Sequence, residues 1–553
     1  MIDIATPARY SKLSIVVFVV LIAIAWFGFL DHRKLINPDE GRYAEIPYEM
    51  VNSGNWITPR LNGLKYLEKP PLQYWVTAAT YKVFGFSEWT ARLWPALTGF
   101  LGILLVWFAG RRLFGADAGI YAALVLLSSP YYVTLGHIIT LDMGFTFFLS
   151  VAIFTFAHAQ NNRNSDAMRV RLMRLVWGAL GLAFLSKGLV ALVLPTLALV
   201  LYSLWQHDWK LWKRLYWKQG VFILAVITLP WIIAVSLANP EFLRFFFIHE
   251  HFARFTSTTH HRTGPLWYFF PVLIFAIFVW TPLLPSVFRG LFQTSALKEN
   301  TFNSQRFLAV WCLVIFVFFS ISQSKLLTYI LPMLPALALL LGDTLARLEV
   351  DQLKTLLIPI AIIMAPIYFA STEAVEAWNR SSPYFQLYED YSDWLELGAV
   401  IIAIFAFISW WFLSRNKKFI GVGVIALGGL VASLLAIDGY ESLSPMQSSY
   451  SIAQQIKKID ASAPVYSVGM YDQSLTPYLG HPVTLVKFRG ELALGIHAEP
   501  HKVIHTVEDF VDQWKTKERA FAVMRPSVYR ILTQQGVKMS LLYEDTTRVL
   551  VQR

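Results

Sequence analysis

Residues 13–30 form an apolar run, and further apolar runs lie near 93–110, 118–135, 138–157, 175–206, 220–238, 267–288, 307–321, 329–342, 356–370, 397–413 and 419–437. Runs of about 18 residues suffice to cross the hydrocarbon core of a bilayer as helices. The run 175–206 is long enough for a hairpin broken at Ser186-Lys187-Gly188. The pattern predicts a polytopic α-helical membrane protein with about thirteen transmembrane helices. Charge content agrees: charged residues make up 15% of the chain and hydrophobic ones 56%, against about 25% charged in soluble domains.

Orientation is read from Lys and Arg in short loops. Arg111-Arg112, the stretch Arg163 to Arg174, Lys210-Lys213-Arg214-Lys218 and Arg415-Lys417-Lys418 all fall on one side when the spans alternate. That side is expected to be the cytoplasm, which puts Asp39 and everything after Tyr440 on the periplasmic side. No small-x-small cleavage site follows Phe29-Leu30, so the first run is expected to remain as an anchor rather than leave as a signal peptide. The net charge of +11 sits largely in the cytoplasmic loops. There it sets topology and meets anionic membrane lipid, and calls for no nucleic acid. With a single cysteine, Cys312, no intramolecular disulfide can form.

The chain divides into a membrane region, 1–439, with a polar first loop at about 31–92, and a C-terminal region, 440–553. In the latter, β-like runs at Pro464–Val468, Val483–Val486 and Arg519–Met524 alternate with helical patterns at Ser448–Ile459 and Val507–Trp514. A small α/β domain is expected.

The first loop begins Asn37-Pro38-Asp39-Glu40-Gly41-Arg42-Tyr43, a helix start with Asn37 as N-cap, Pro38 at the first position and Glu40 reaching back to the cap. Asp39 could serve only the helix dipole, worth about 0.3–1 kcal/mol, or pair with Arg42 one turn on. Other ionisable groups shift the balance, because they recur at the outer ends of separate spans. Glu68-Lys69 precedes Pro70-Pro71, which should open another helix. Asp142 starts a span, Lys187 occupies the hairpin break, and His249-Glu250-His251 with Arg254, His260-His261-Arg262 and Ser324-Lys325 through Tyr329 follow. Singly, Lys187 or Lys325 could snorkel. Gathered on one face, the cations suit a phosphate and the acids a proton acceptor or a sugar hydroxyl partner. Glu250 and Arg254 are spaced for an intrahelical pair. The adjacent histidines lack H-E-x-x-H geometry, although one of them, His249, could hold a divalent ion such as zinc together with Glu68.

At these residues the chain resembles the GT-C lipid-linked-sugar glycosyltransferases, most closely the bacterial aminoarabinose transferase branch related to protein O-mannosyltransferases. The match is carried by Asp39-Glu40, Asn55 through Gly63, Tyr66 through Pro71, Leu141-Asp142, Ser186-Lys187-Gly188, Glu250-His251 through Arg254, and Ser324-Lys325 with Tyr329. The resemblance implies an inverting inner-membrane enzyme that moves 4-amino-4-deoxy-L-arabinose from undecaprenyl phosphate to a lipid A phosphate in the periplasm, a modification tied to polymyxin resistance. It implies Asp39 and Asp142 as catalytic acids. Lys69 and Arg254 become donor phosphate ligands, with Arg42, Tyr66, Lys187, Lys325 and Tyr329 as further substrate-binding residues. No cofactor is required, and a monomer is expected. Gly41 departs from the Ala or Thr more usual after the acidic pair.

Expelling a lipid phosphate from an anomeric carbon needs cations around the departing oxygens and an anion that orients or deprotonates the acceptor. No Asp-x-Asp motif for a nucleotide sugar stands in a cytoplasmic loop, which favours a lipid donor. The alternatives are a protein O-glycosyltransferase with the same donor class and a lipid flippase or transporter. A transporter would place its charges near the midplane; here they collect at one surface.

Overall fold

The computed structural model describes residues 12–161, 164–253, 264–293, 302–356, 373, 377, 380 and 382–553. Arg254 and the stretch 260–262 lie outside the described residues, as do the side chains of His249, Glu250 and His251. Among the described residues, eight helices are long and apolar enough to cross a membrane: Glu88–Leu113, Asp142–Ala159, Trp217–Ala238, Phe269–Leu291, Ser304–Ile321, Leu327–Arg347, Phe385–Ser414 and Lys418–Gln447. All of the run 356–370 but its first residue falls outside the described residues, so the count of thirteen stays an expectation for the whole chain.

The N-terminal half comprises α1 (Lys12–Phe27), α2 (Asp39–Ser53), a β1–β2 ribbon (Arg60–Leu61 and Leu64–Lys65), α3 (Leu72–Phe84) and α4 (Glu88–Leu113). It continues with α5 (Ala116–Leu127), α6 (Pro130–His137), α7 (Asp142–Ala159), α8 (Asp166–Lys187), α9 (Val190–Gln206) and α10 (Trp217–Ala238). The hairpin expected over 175–206 is present, with α8 and α9 parted at Gly188. One expected straight span is not: 118–135 is bent by 64° between α5 and α6. Pro130, lacking an N–H, opens α6, and the Ser129 hydroxyl accepts from Tyr132 N as its cap. The Ser128 hydroxyl meanwhile accepts from Trp280 Nε1 at 2.8 Å, pinning the break inside the bundle.

The C-terminal region folds as expected, into a five-stranded sheet of order β4-β3-β5-β7-β6. Its strands are β3 (Val465–Val468), β4 (Thr484–Val486), β5 (Phe521–Met524), β6 (Ser540–Glu544) and β7 (Val549–Gln552). β3 pairs parallel with β4 and β5, while β7 lies antiparallel between β5 and β6. Strand alternation gives the sheet two buried faces. Tyr466, Ala522, Met524 and Val551 pack with Phe510 and Trp514 on one face. Val465, Phe521, Val523 and Leu550 turn to the other, where they share a core with Tyr43, Ile46, Leu61, Tyr66 and Tyr74 of the first loop. The domain is thus clamped onto that loop rather than hung from the last span.

The opening of α2 differs from its sequence reading. The Asn37 side chain does not cap the helix; its Oδ1 accepts from Ser474 N of the C-terminal domain at 2.7 Å. Glu40 does reach back, accepting from Ile36 N at 3.2 Å, but its main partner is Arg92 of α4, bonded through Nε at 2.8 Å and Nη2 at 2.7 Å with both side chains fully buried. Burial would raise the Glu40 carboxyl; Arg92, together with Arg33, holds it below its ordinary value instead. Gly41 is explained by packing: a Cβ there would lie 2.5 Å from the Gln473–Ser474 backbone.

Removing one member of a buried pair leaves an uncompensated charge, at a cost of about 3–5 kcal/mol. Glu40→Gln should therefore lower the melting temperature in detergent sharply. A double variant, Glu40→Met with Arg92→Met, should melt above either single variant, because it buries no orphan charge, yet below wild type, because Ile36 N and Ile139 N lose their acceptor. A double variant no more stable than the singles would count against the charge argument.

Candidate active site

α2 projects Asp39 from its first turn with the side chain half exposed, and Arg42 Nη1 approaches Asp39 Oδ1 at 3.2 Å. The pair foreseen one turn apart is present. The second arm of the Arg42 fork, Nη2, bonds Glu491 Oε2 of the C-terminal domain, and Gln473 Nε2 donates to Glu491 Oε1 at 2.6 Å. Glu491 was not foreseen, because its short 3-10 turn, Gly490–Leu492, carries no motif.

Aromatic rings floor this cluster. Tyr43 stacks on Tyr74 with centroids 6.2 Å apart, the Arg42 guanidinium lies 5.5 Å over Tyr43, and the buried Tyr66 donates its hydroxyl to Glu68 Oε2 at 3.1 Å. Burial would lower the Arg42 guanidinium, but the carboxylates of Glu491 and Asp39 beside it hold it above its usual value. Burial pushes the Tyr66 and Tyr74 phenols up, so both stay protonated donors. Arg42 Nε and the Tyr74 hydroxyl are buried without a hydrogen-bond partner among the described residues. Unsatisfied buried donors of this kind cost about 1–3 kcal/mol each.

A second group gathers at the same end of the bundle. Asp142 opens α7 and forms an ion pair with Lys187 at the end of α8. The Lys187 ammonium lies 5.0 Å over the Tyr329 ring and 5.6 Å over Phe145, and Tyr329 packs on Phe319 at 4.8 Å. Lys325 donates to the carbonyls of Ser320 and Ser322 at 2.9 and 2.6 Å, closing its own turn. Glu40 ties the two groups together, since its Oε1 also accepts from Ile139 N at 3.2 Å, three residues before Asp142. Lys69 is partly buried between Glu68 and the start of α3. No group of three or more His, Cys, Asp or Glu that could hold a metal ion exists among the described residues.

The clamp over the site has its own chemistry. Asn62 exchanges bonds with Val483, Nδ2 to O at 2.8 Å and N to Oδ1 at 2.8 Å. Glu45 accepts from Asn62 N and the Tyr471 hydroxyl, each at 2.7 Å. Glu49, one turn on, accepts from Gly63 N at 2.8 Å. Burial, with Glu49 beside it, raises the Glu45 carboxyl, and burial raises that of Glu49.

Apolar helices with acids, cations and aromatics assembled at one end, under a clamped α/β domain, define a polytopic membrane protein with a polar site at the end of its helical bundle. Residues 452–553 match the profile of the aminoarabinose transferase C-terminal domain, and 68–233 that of dolichyl-phosphate-mannose-protein mannosyltransferases. The crystal structure of ArnT from Cupriavidus metallidurans bound to undecaprenyl phosphate superposes with a TM-score of 0.92 at 38% identity, covering 98% of each chain. The chain belongs to the ArnT family. A Pseudomonas fluorescens (strain Pf0-1) undecaprenyl phosphate-α-4-amino-4-deoxy-L-arabinose arabinosyl transferase 1 is 29% identical over 92% of this chain and 88% of its own length. For the corresponding transferase 2 of that strain, 36% identical, the alignment spans only 60% of either chain. The archaeal oligosaccharyltransferase AglB of Archaeoglobus fulgidus, at 12% identity and a TM-score of 0.52 over 93% of this chain and 70% of its own, shares the fold.

The raised Glu45 and Glu49 carboxyls set a pH dependence of stability. Between the unfolded value near 4.5 and the raised folded values, the native state holds protons that the unfolded chain releases. Stability should therefore fall as pH rises through that window. Glu45→Gln, which stays neutral, should flatten the decline when melting temperature is followed from pH 5 to 9; an unchanged slope would exclude Glu45 as its source.

Proposed function

We propose that this chain transfers 4-amino-4-deoxy-L-arabinose from undecaprenyl phosphate to a lipid A phosphate at the periplasmic face of the inner membrane. The observation that carries the reading is an accessible Asp39 carboxylate braced by Arg42, in a chain aligned end to end with a transferase solved with undecaprenyl phosphate. In the proposed step a lipid A phosphate oxygen forms a bond to the anomeric carbon. The bond from that carbon to the donor phosphate breaks, and its electron pair leaves with undecaprenyl phosphate, inverting the centre. The nucleophile is already anionic near pH 7, as a phosphate monoester's second ionisation falls at about 6, so Asp39 acts by orientation and by stabilising positive charge on the sugar. Lys69 and Arg254 hold the donor phosphate. Arg42, Tyr66, Lys187, Lys325 and Tyr329 line the substrates' path, and Asp142 keeps Lys187 in place. One chain suffices, and no metal enters the step as written; loss of activity on chelation, restored by zinc, would add Glu68 and His249 as ligands.

The mannosyltransferase profile over residues 68–233 supports one second reading, sugar transfer to a protein hydroxyl. Lipid A from cells with and without the gene, compared by mass spectrometry, separates the two. An added aminoarabinose supports the first reading; modified serine peptides with unmodified lipid A would replace it with the second. Asp39→Asn should lose about 10²-fold or more in rate. Lys69→Ala, which removes a charge-assisted contact worth about 1.5–3 kcal/mol, should weaken binding of undecaprenyl phosphate, measured by isothermal titration. A reporter fused after Arg553 should be active only when exported, and cytoplasmic activity would reverse the proposed orientation.

A further inference from the structure

At the end of the bundle opposite Asp142 and Lys187, the far halves of α7 and α8 meet α9, α10 and the 3-10 turn Trp209–Leu215 around an apolar cavity of about 250 Å³. Phe156, Met173, Trp177, Trp212, Trp217 and Val221 are among its walls. The walls are fixed. Trp212 stacks on Trp217 with rings 15° apart and 6.3 Å between centroids, and Trp217 meets Trp177 at 5.4 Å. All three indoles have an acceptor: Leu215 O for Trp177 at 2.8 Å, Ser203 Oγ for Trp212 at 3.1 Å and Trp212 O for Trp217 at 3.2 Å. The ring faces are therefore left for apolar contact. Gly220 lets α10 approach, since any side chain there would collide with the Trp177 ring. Trp217 and Val221 are about half exposed, so the cavity opens on the outer surface of the bundle.

The segment that supplies one wall is cationic. Lys213 and Arg214 sit between the wall residues Trp212 and Leu215, and Lys210 and Lys218 flank them. None of these four cations forms an ion pair among the described residues. The one acid of the segment, Asp208, is buried, and the next acid along the chain is Glu241. Arg174 Nε is held by Gln219 at 3.0 Å across the gap from α8 to α10. A void left in such an apolar pocket would forfeit dispersion contacts along its whole lining, and water would find few polar partners in it.

We propose that this cavity is a binding site for an anionic glycerophospholipid of the leaflet opposite the active site, with an acyl chain between the three tryptophans and the headgroup phosphate on Lys213 and Arg214. The chemistry on each side selects the occupant: apolar walls take a hydrocarbon chain, and unpaired cations on the segment that carries one wall favour net negative headgroups by about one power of ten or less apiece. The site is separate from the transfer chemistry and stands whether or not the proposed reaction does.

The test uses full-length protein, delipidated in neutral detergent and titrated with phosphatidylglycerol or phosphatidylethanolamine carrying dibrominated acyl chains, which quench tryptophan on contact. Phosphatidylglycerol should quench saturably at one equivalent and phosphatidylethanolamine should not. Lys213→Gln with Arg214→Gln should weaken binding about thirtyfold. Thr196→Phe, an exposed position on the cavity lining, should abolish saturable quenching with the melting temperature kept. Equal quenching by both lipids, or an unchanged midpoint in the double variant, overturns the proposal. Displacement by undecaprenyl phosphate far below the phosphatidylglycerol midpoint overturns it too, and gives the cavity to the donor's own tail.

Discussion

The buried pair of Glu40 and Arg92 organises the end of the molecule that holds the candidate site. Arg92 spends its remaining donors on the carbonyls of Leu30, Arg33 and Lys34, and Glu40 spends its spare lone pairs on Ile36 N and Ile139 N. One ion pair thereby fixes where the chain leaves α1, where α2 begins and where α7 begins, and the last two carry Asp39 and Asp142. A buried pair is weak evidence of net stability. Its use here is geometric: with every donor and acceptor committed, the three segments cannot shift independently.

The C-terminal domain is held to the first loop chiefly by apolar burial. Tyr66, Tyr74, Leu61, Phe521 and Leu550 are at most 1% exposed, and full burial of a large apolar side chain stabilises by roughly 1.5–3 kcal/mol. The partly exposed pair of Arg60 with Glu499 at 2.9 Å adds at most about 1 kcal/mol. The polar contacts instead set register. Asn62 exchanges two bonds with Val483, and Asn37 reaches Ser474, so the domain seats in one way and delivers Glu491 to Arg42.

Much of this was legible in local pattern. The sheet strands β3, β4 and β5 fall inside the expected β-like runs, α3 opens after Pro70-Pro71, and the hairpin breaks at Gly188. The pair of Asp39 with Arg42 follows from helical spacing. What escaped the sequence depends on long-range contact. Glu40 looked like a capping residue because its local partner is real, while Arg92 lies on another helix. Glu491 sits in a short turn without a motif, and only the docked fold brings it to Arg42. Gly41 looked like a neutral departure until the backbone of Gln473 and Ser474 was found against it. The bend at Ser128-Ser129-Pro130 was written in the sequence as a breaker signal, but hydropathy alone read through it.

The position of β7 has a consequence for how the C-terminal domain stays seated. Residues 549–552 form an inner strand, hydrogen-bonded to β5 on one side and β6 on the other, and Leu550 reaches the core shared with the first loop. Without β7 the sheet loses the strand that joins β5 to β6. The sheet's seat on the first loop therefore depends on a strand far along the chain from α2, and trimming β7 would expose both the edge of β5 and the apolar face that holds Leu61 and Tyr66.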